Sequence, residues 1–398
     1  MPVPISSADR LDVALAPDHG GRGPVTVRPV TGGTDRRRFI DFPFRLYEGH
    51  PYWVPPLRMD VAGKLNRKKN PFFEHGDIAP FLAERGGEIV GRVAAIKNGQ
   101  HLAKYDDKAG FFGFIEAVDD PEVWRALFDA AHGWLRGQGL TSARGPVDPT
   151  MNDTAGLLVD GFRRPPSILM PYQPAYYQTR LAELGYERAM TMWAYFVHDA
   201  YLDDSRLRRG VGLVRSRQPD LTVRPLDRSR FDADISAALR IYNAAWGENW
   251  GNVGYTEAEA QHLAAELKPV LEDDLFLFVE KAGVPIAFSA SLPNLNQALK
   301  RVTDGRLLPF GLPKLLLLAK SGLVNEIRMA LMGVLPEHRN GGLDALLVLE
   351  TIDRGRAMGF DSCEMSWVLD GNKALTNALD KLGGVRDKEY VMVETSLG

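Results

Sequence analysis

An internal repeat constrains this chain more than any other feature. Thr26-Val27-Arg28-Pro29-Val30 returns as Thr222-Val223-Arg224-Pro225-Leu226, 196 residues later. Each copy leads into a helix-period segment, with Arg45-Leu46-Tyr47 in one and Arg240-Ile241-Tyr242 in the other. FLAERGGEIVGRVAAI (81–96) then matches FLFVEKAGVPIAFSASL (276–292), pairing Glu84 with Glu280 and Gly87 with Gly283, again at 196. Both segments read as β-hairpins, apolar strands about a glycine turn. Near the ends, Leu181-Ala182-Glu183-Leu184-Gly185 matches Leu379-Asp380-Lys381-Leu382-Gly383 at 198. Self-similarity at a near-constant spacing means two copies of one unit. The order within each is strand, helix, hairpin, strand, helix, strand, helix, strand, which predicts a mixed α/β unit.

The spacing changes mid-copy. The helix ending at Gly139-Leu140 corresponds to the one ending at Gly359-Phe360, an offset of 220. The second copy therefore gained about two dozen residues before VLPEHRNGG, and the first gained a similar number after its helix, roughly 143–172. The expected organisation is a flexible tail (1–24), a first domain (25–198), a polar, irregular linker (199–220) and a second domain (221–398). A chain of 398 residues is long enough for two cores. With 48 basic and 51 acidic residues the net charge is −3, so nothing draws it generally to nucleic acid. One cysteine and eight histidines without metal-site spacing lead us to expect no metal. Residues 1–24 lack the apolar stretch of a signal peptide, so a cytoplasmic location is expected.

The stretch VLPEHRNGGLDALL (334–347) carries the chemistry. A compact strand, EIRMALMGV, ends there, and Pro336 cannot continue a sheet ladder. Arg339-Asn340-Gly341-Gly342 then opens a Leu-rich helix from Leu343 to about Met358. A helix N-terminus presents free N–H groups and partial positive charge. Glycines let an anion come close to the backbone, and Arg339 adds a full charge. The pattern reads as a phosphate cradle, against the plainer reading of an ordinary glycine-rich turn. At the corresponding place the first copy reads AVDDPEVWRAL (117–127), where two acids and a proline replace arginine and glycine. Carboxylates there would repel a phosphate.

The spacing V-x-P-E-x-R-x-x-G-x before a Leu-rich helix resembles the pyrophosphate loop of the GNAT acyltransferases, whose consensus is (Arg/Gln)-x-x-Gly-x-(Gly/Ala). Arg339 and Gly342 match, and Asp344 departs from it. The resemblance implies two tandem GNAT-like domains of mixed-sheet α/β class, the first without the loop. It also implies an acyl-CoA donor held by Val334, Arg339, Asn340, Gly341, Gly342, Leu343 and Asp344. DSCEMSWV (361–368) resembles the family strand that splays to admit the pantetheine arm, and Asn372 and Gly383 match the next helix, so Asn372 joins the cofactor set. The family's general-acid tyrosine would fall at Leu379, which leaves Tyr390 on the last strand as its replacement. The family's usual base position is Arg328 here. Glu326 shares strand parity with Arg328, Ala330 and Met332 and is nominated as the base, with Glu364 on the adjacent strand in reserve. Cys363 should face the other way, into the core.

Two insertions remain. GRLLPFGLPKLLLLAKSGLV (305–324) has ten Leu, Phe or Val among twenty residues, but lysines and prolines interrupt it too often for a membrane span. It suggests a lid for a greasy chain, with Phe310 and Leu316 as contacts, or peripheral contact through 306–320 with the inner membrane face. The alternative is a helix packed on the other copy. The first copy's insertion, 143–177, brings prolines, Asn152, Asp153 and Tyr177 together. It either closes over the second copy's site or clamps the domains. MPYQPAYY (170–177) and WVLDGN (367–372) resemble a bacterial tandem-GNAT group that includes ceramide synthases, which N-acylate a sphingoid base from a long-chain acyl-CoA. On that resemblance Trp367 also joins the substrate set. The implied function is long-chain N-acyl transfer to a lipid-like amine. Acetyl transfer to a small polar amine or a protein, and a non-catalytic CoA-binding scaffold, stay open.

Overall fold

A computed structural model describes residues 23–307 and 311–398. The first copy contains β1 (Thr26–Pro29), α1 (Gly32–Leu46), α2 (Arg58–Lys64), β2 (Gly76–Arg85), β3 (Glu88–Asn98), α3 (Gly99–Lys104), β4 (Ala109–Ala117), α4 (Pro121–Gly137), β5 (Ser142–Gly145), β6 (Leu157–Asp160), α5 (Tyr176–Glu183) and β7 (Glu187–His198). Helix α6 (Ser205–Arg217) follows. The second copy contains β8 (Leu221–Pro225), α7 (Phe231–Trp246), α8 (Glu257–Leu267), β9 (Phe276–Lys281), β10 (Val284–Pro293), α9 (Asn296–Leu299), α10 (Gly311–Lys320), β11 (Glu326–Val334), α11 (Leu343–Ala357), β12 (Ser362–Leu369), α12 (Lys373–Lys381) and β13 (Val385–Ser396).

The duplication repeats in side-chain detail. Arg28 pairs with Asp35 at 2.6 Å and Glu84 at 3.5 Å, and Arg224 pairs with Asp234 at 2.7 Å and Glu280 at 2.6 Å. Arg45 donates to the carbonyl of Ile89 as Arg240 does to that of Pro285. The β2–β3 hairpin turns through Gly86 and Gly87 at φ 59° and 86°, and the β9–β10 hairpin through Ala282 and Gly283 at φ 50° and 77°. Two successive positive φ values give the turn that matches strand twist, hence the glycines.

The two copies share one mixed sheet. Its order is β1-β2-β3-β4-β5-β13-β7-β12-β11-β10-β9-β8, with β6 off the path against β13. The closing strands are exchanged: β13 of the second copy lies between β5 and β7 of the first, and β7 lies between β13 and β12. Residues 199–220, read above as an irregular linker, carry helix α6. Its Val211 is buried, and its arginines pair along α11, Arg208 with Asp353 and Arg215 with Glu350. That packing explains why α11 is apolar on more than one side. Leu346 and Leu347 face the second copy's core, while Val348 packs with Met329 and Tyr195. Among the described residues no helix is long and apolar enough to cross a membrane.

Candidate active site

The strands β11 and β12 run parallel and pair only over Glu326–Met329 against Ser362–Met365. Beyond that point β12 stays with β7, β11 stays with β10, and a wedge opens between them. A bulge marks the divergence: Ala290 faces Leu331 and Ser291 faces Met329, which leaves Ala330 unpaired. The bulge also resets the alternation. Gly333 faces Ile241, Ala245 and Phe288 beneath α7, whereas Met332 packs with Met329. Met332 therefore does not share the face of Arg328 as strand parity predicted.

The turn after β11 leads to a helix start without a protein cap. Gly342 is the N-cap of α11 at φ 75°, and among the described residues no side chain caps the first turn. Asn340 is also left-handed, at φ 62°. Arg339 is exposed and donates to the carbonyl of Ala245 at 2.8 Å, which holds it beside the turn. Asp344 is exposed and makes no cap bond. Val334 ends β11 opposite Ala287. Leu343 is buried and anchors the helix start. Gln218, just after α6, donates to the carbonyl of Gly341 at 3.3 Å. The first-turn N–H groups and Arg339 together fit a phosphate.

The same two features are filled in the first copy. Val147 donates to the carbonyl of Phe112 at 3.0 Å, so the chain after β5 occupies the wedge beside β4. A Cβ on Gly113 would come within 1.5 Å of the carbonyl oxygen of Val147. At the start of α4, Asp120 accepts from the N–H of Glu122 at 2.8 Å, and Arg85 pairs with Asp120 and Glu122 at 2.6 and 2.7 Å.

In the second copy a cavity of about 180 Å3 runs from the wedge to α7 and α8. Arg328, Ala330 and Trp367 line it from the strands, and Tyr242, Trp246 and Leu263 from the helices. The first copy's insertion completes it with Met151, Asn152, Asp153 and Leu169. This insertion is held firmly. Asn152 donates to the carbonyl of Gly254 at 2.9 Å and accepts from Tyr242 at 3.0 Å, and Ile168 donates to Asn294 at 2.9 Å. Lys104 and Tyr105 of the first copy tie down the α7–α8 loop through the carbonyl of Asn252, at 2.8 and 3.0 Å.

The chain is 37% identical over 382 residues to the bacterial ceramide synthase of Caulobacter vibrioides, covering 94% of this chain and 98% of that one. It is 35% identical over 376 residues to Protein YghO of Escherichia coli, covering 93% and 95%. The chain belongs to the tandem-GNAT group that includes bacterial ceramide synthases. It is an acyltransferase. A tandem GNAT protein from the clavulanic acid biosynthesis pathway superposes with TM-score 0.56 at 12% identity, covering 94% of this chain and 99% of the other. No protein-family model matches the chain.

The acyltransferase places its sequence-nominated residues in three groups. Asn152, Asp153 and Trp367 line the cavity. Glu326, Glu364 and Tyr390 do not line it, and form a buried polar layer. Glu326 is held by Arg164 and by Asn294, the latter at 2.7 Å, and burial pushes its carboxyl up against the pull of Arg164. Glu364 is 0% exposed, accepts from Ser366 at 2.9 Å and lies 3.7 Å from Lys388. Tyr390 donates to the carbonyl of Pro171 at 3.3 Å, and burial raises its phenol. The remaining residues sit apart. Asn372 caps α12 by accepting from Leu375 at 3.2 Å. Tyr177 is buried in the first copy, donating to Glu116 at 2.7 Å. Phe310 and the side chain of Leu316 lie outside the described residues. Cys363 is pushed up to about 12 by burial, which suits a core thiol.

Sequence reasoning passed over Arg328 as a cavity residue, because it was read only as a displaced base position. It is 2% exposed, donates to Ser366 Oγ at 2.9 Å and to the carbonyl of Ile168 at 3.0 Å, and lies over the ring of Trp367 at 5.1 Å. Trp367 Nε1 beside it is buried and has no hydrogen-bond partner among the described residues. The α7–α8 loop residues were missed too, because no local pattern marks them.

Proposed function

We propose that the protein transfers a long-chain acyl group from acyl-CoA to the amine of a lipid-like acceptor such as a sphingoid base. The observation that carries this reading is the apolar cavity that opens at the bulge of β11, where the wedge begins. A pyrophosphate sits at the start of α11 against Arg339 and the glycine turn. The pantetheine arm follows the wedge, which leaves the thioester near Ala330 and its acyl chain beside aliphatic and aromatic walls. Arg328 and the unpartnered Trp367 Nε1 are donors placed for the oxygen on which charge develops. The identity to a ceramide synthase along nearly the whole chain supports the choice of acceptor.

The apolar helix α10 supports contact with the bilayer that would supply such an acceptor. Leu317 on it is 72% exposed. Leu317→Glu is expected to reduce co-sedimentation with anionic phospholipid vesicles while leaving turnover of soluble octanoyl-CoA unchanged.

The test is CoA release from acetyl-, octanoyl- and palmitoyl-CoA, each with sphinganine or a polar amine. Sphinganine-dependent turnover that rises with chain length is the expected result. Turnover with acetyl-CoA alone would overturn it.

A further inference from the structure

Beside the apolar cavity lies a second one of about 160 Å3, between the two copies. The two share Asn152, Asp153, Leu169, Tyr255, Leu263 and Leu267 as a common wall. Their chemistry differs sharply. The second is lined by Asp60 and Lys64 of α2, His75 ahead of β2, and Glu259, His262 and Glu266 of α8. Lys64 is already engaged by the carbonyl of Asp148 at 2.8 Å, and His75 Nε2 by Glu259 at 2.9 Å. The chamber therefore has carboxylates in excess, and its rim reaches solvent at Asp60 and Glu266. An apolar compartment joined to an acidic one suits the two reactants: the acyl chain lies in the first and the cationic head of the amine enters from the second.

Amide formation from an ammonium needs a proton acceptor next to the thioester. Among the described residues Asp153 is the one carboxylate lining the apolar cavity, and no described histidine, lysine or cysteine lines it. Arg328 on the strand cannot accept a proton. Glu326 and Glu364 lie in the buried layer outside both cavities. Asp153 also faces the chamber, so among the residues that line both compartments it is the one carboxylate.

Resting on the functional reading above, we propose that the first copy supplies the catalytic base: the acceptor's amino head binds in the acidic chamber and Asp153 takes its proton. One proton passes from the ammonium to the Asp153 carboxylate and out through the chamber. The freed nitrogen lone pair attacks the thioester carbon, the C–S bond breaks, and the second proton leaves on the CoA sulfur as thiol. The amide, free CoA and one released proton balance the reaction. Thr150 Oγ1 donates to Asp153 Oδ2 at 2.6 Å and holds the carboxylate in place. Burial pushes its carboxyl up, Lys64 and the Thr150 hydroxyl oppose this, and Glu259 adds to it.

The experiment measures kcat and KM for palmitoyl-CoA and sphinganine from pH 5.5 to 9, with CoA affinity by calorimetry. Asp153→Asn is expected to lower kcat by roughly 100-fold or more and to remove the acidic limb of its pH profile, with CoA affinity within twofold of wild type. Asp153→Glu is expected to restore part of the rate and to keep a displaced limb. An Asp153→Asn enzyme within threefold of wild-type kcat, or one that keeps the limb, would overturn the proposal. Independently, Glu266→Gln on the exposed rim is expected to raise KM for sphinganine several-fold and leave KM for palmitoyl-CoA alone; an unchanged sphinganine KM overturns the placement of the head. A wild-type enzyme that amidates no long-chain amine would instead defeat the functional reading itself.

Discussion

Arg85 Nη1 lies 2.6 Å from Asp120 Oδ2 at the start of α4, where the first copy's own carboxylates fill an anion site. In the second copy the equivalent helix starts at a bare left-handed glycine, Gly342, with Arg339 beside it. The two copies thus keep the same helix-start electrostatics and differ in what satisfies them. Asp120 accepts a backbone N–H and Arg85 neutralises it, so a phosphate has neither donors nor charge to meet there.

Charge reversal at the open cradle should act on the donor without acting on the fold. Arg339 is exposed, so Arg339→Glu is expected to change stability by no more than about 0.5 kcal/mol. Loss of a charge-assisted phosphate contact worth about 2 kcal/mol predicts CoA binding weakened by roughly 30-fold. Titration calorimetry with CoA, beside a thermal melt, checks both. Gly342→Ala differs: its Cβ would meet Val214 Cγ2 at 2.6 Å at φ 75°, so it should lower the melting temperature as well.

Strand exchange predicts that neither copy folds alone. Without β13, strands β5 and β7 lose their partner, and without β7, β12 is left an open edge. Residues 23–220 and 221–398 expressed separately are expected to be insoluble and, coexpressed, to copurify as one species. Two soluble, cooperatively melting halves would contradict this.

Glu326 should behave as a structural group. Glu326→Gln removes the carboxylate held by Arg164 and is expected to cost about 2 kcal/mol. The kcat pH profile of the surviving folded enzyme should match wild type. A vanished limb in this variant would return the base to Glu326.

Glu116 in the first copy gives a pH signature. It is half-buried, and desolvation raises its carboxyl to about 7, against Arg92 and the donors Tyr47 and Tyr177. A folded value above the unfolded one means that the folded state holds more protons between about pH 4.5 and 7. This group's contribution therefore falls as pH rises through that window. Removing the ionisation, Glu116→Gln should gain stability relative to wild type between pH 5 and pH 8, by about 3 kcal/mol at most. Urea melts at the two pH values measure the difference.

The repeat, the hairpins and the glycine helix start were legible because each is a local pattern. Thr222-Val223-Arg224-Pro225 announced a copy of the first strand, and the matched Glu84 and Glu280 prove to be partners of Arg28 and Arg224. Arg339 and Gly342 need only a few residues to define their turn. Strand parity failed at Met332 because a bulge depends on the neighbouring strand, which the local sequence does not contain. Residues 199–220 were read as irregular because α6 exposes most of its polar surface, and the face buried on α11 is narrow.

By itself the sequence determined that two α/β units exist, that one offers a glycine-and-arginine helix start and the other an acidic one, and that each carries an insertion. These follow from residue type and short spacing. Only the tertiary structure decided that the closing strands change places, that Asp120 and Arg85 satisfy each other, and that the first copy's Asp153 enters the second copy's cavity. Each of those joins residues from dozens to about two hundred positions apart, where pairing depends on the path of the whole chain and on which buried polar groups find partners.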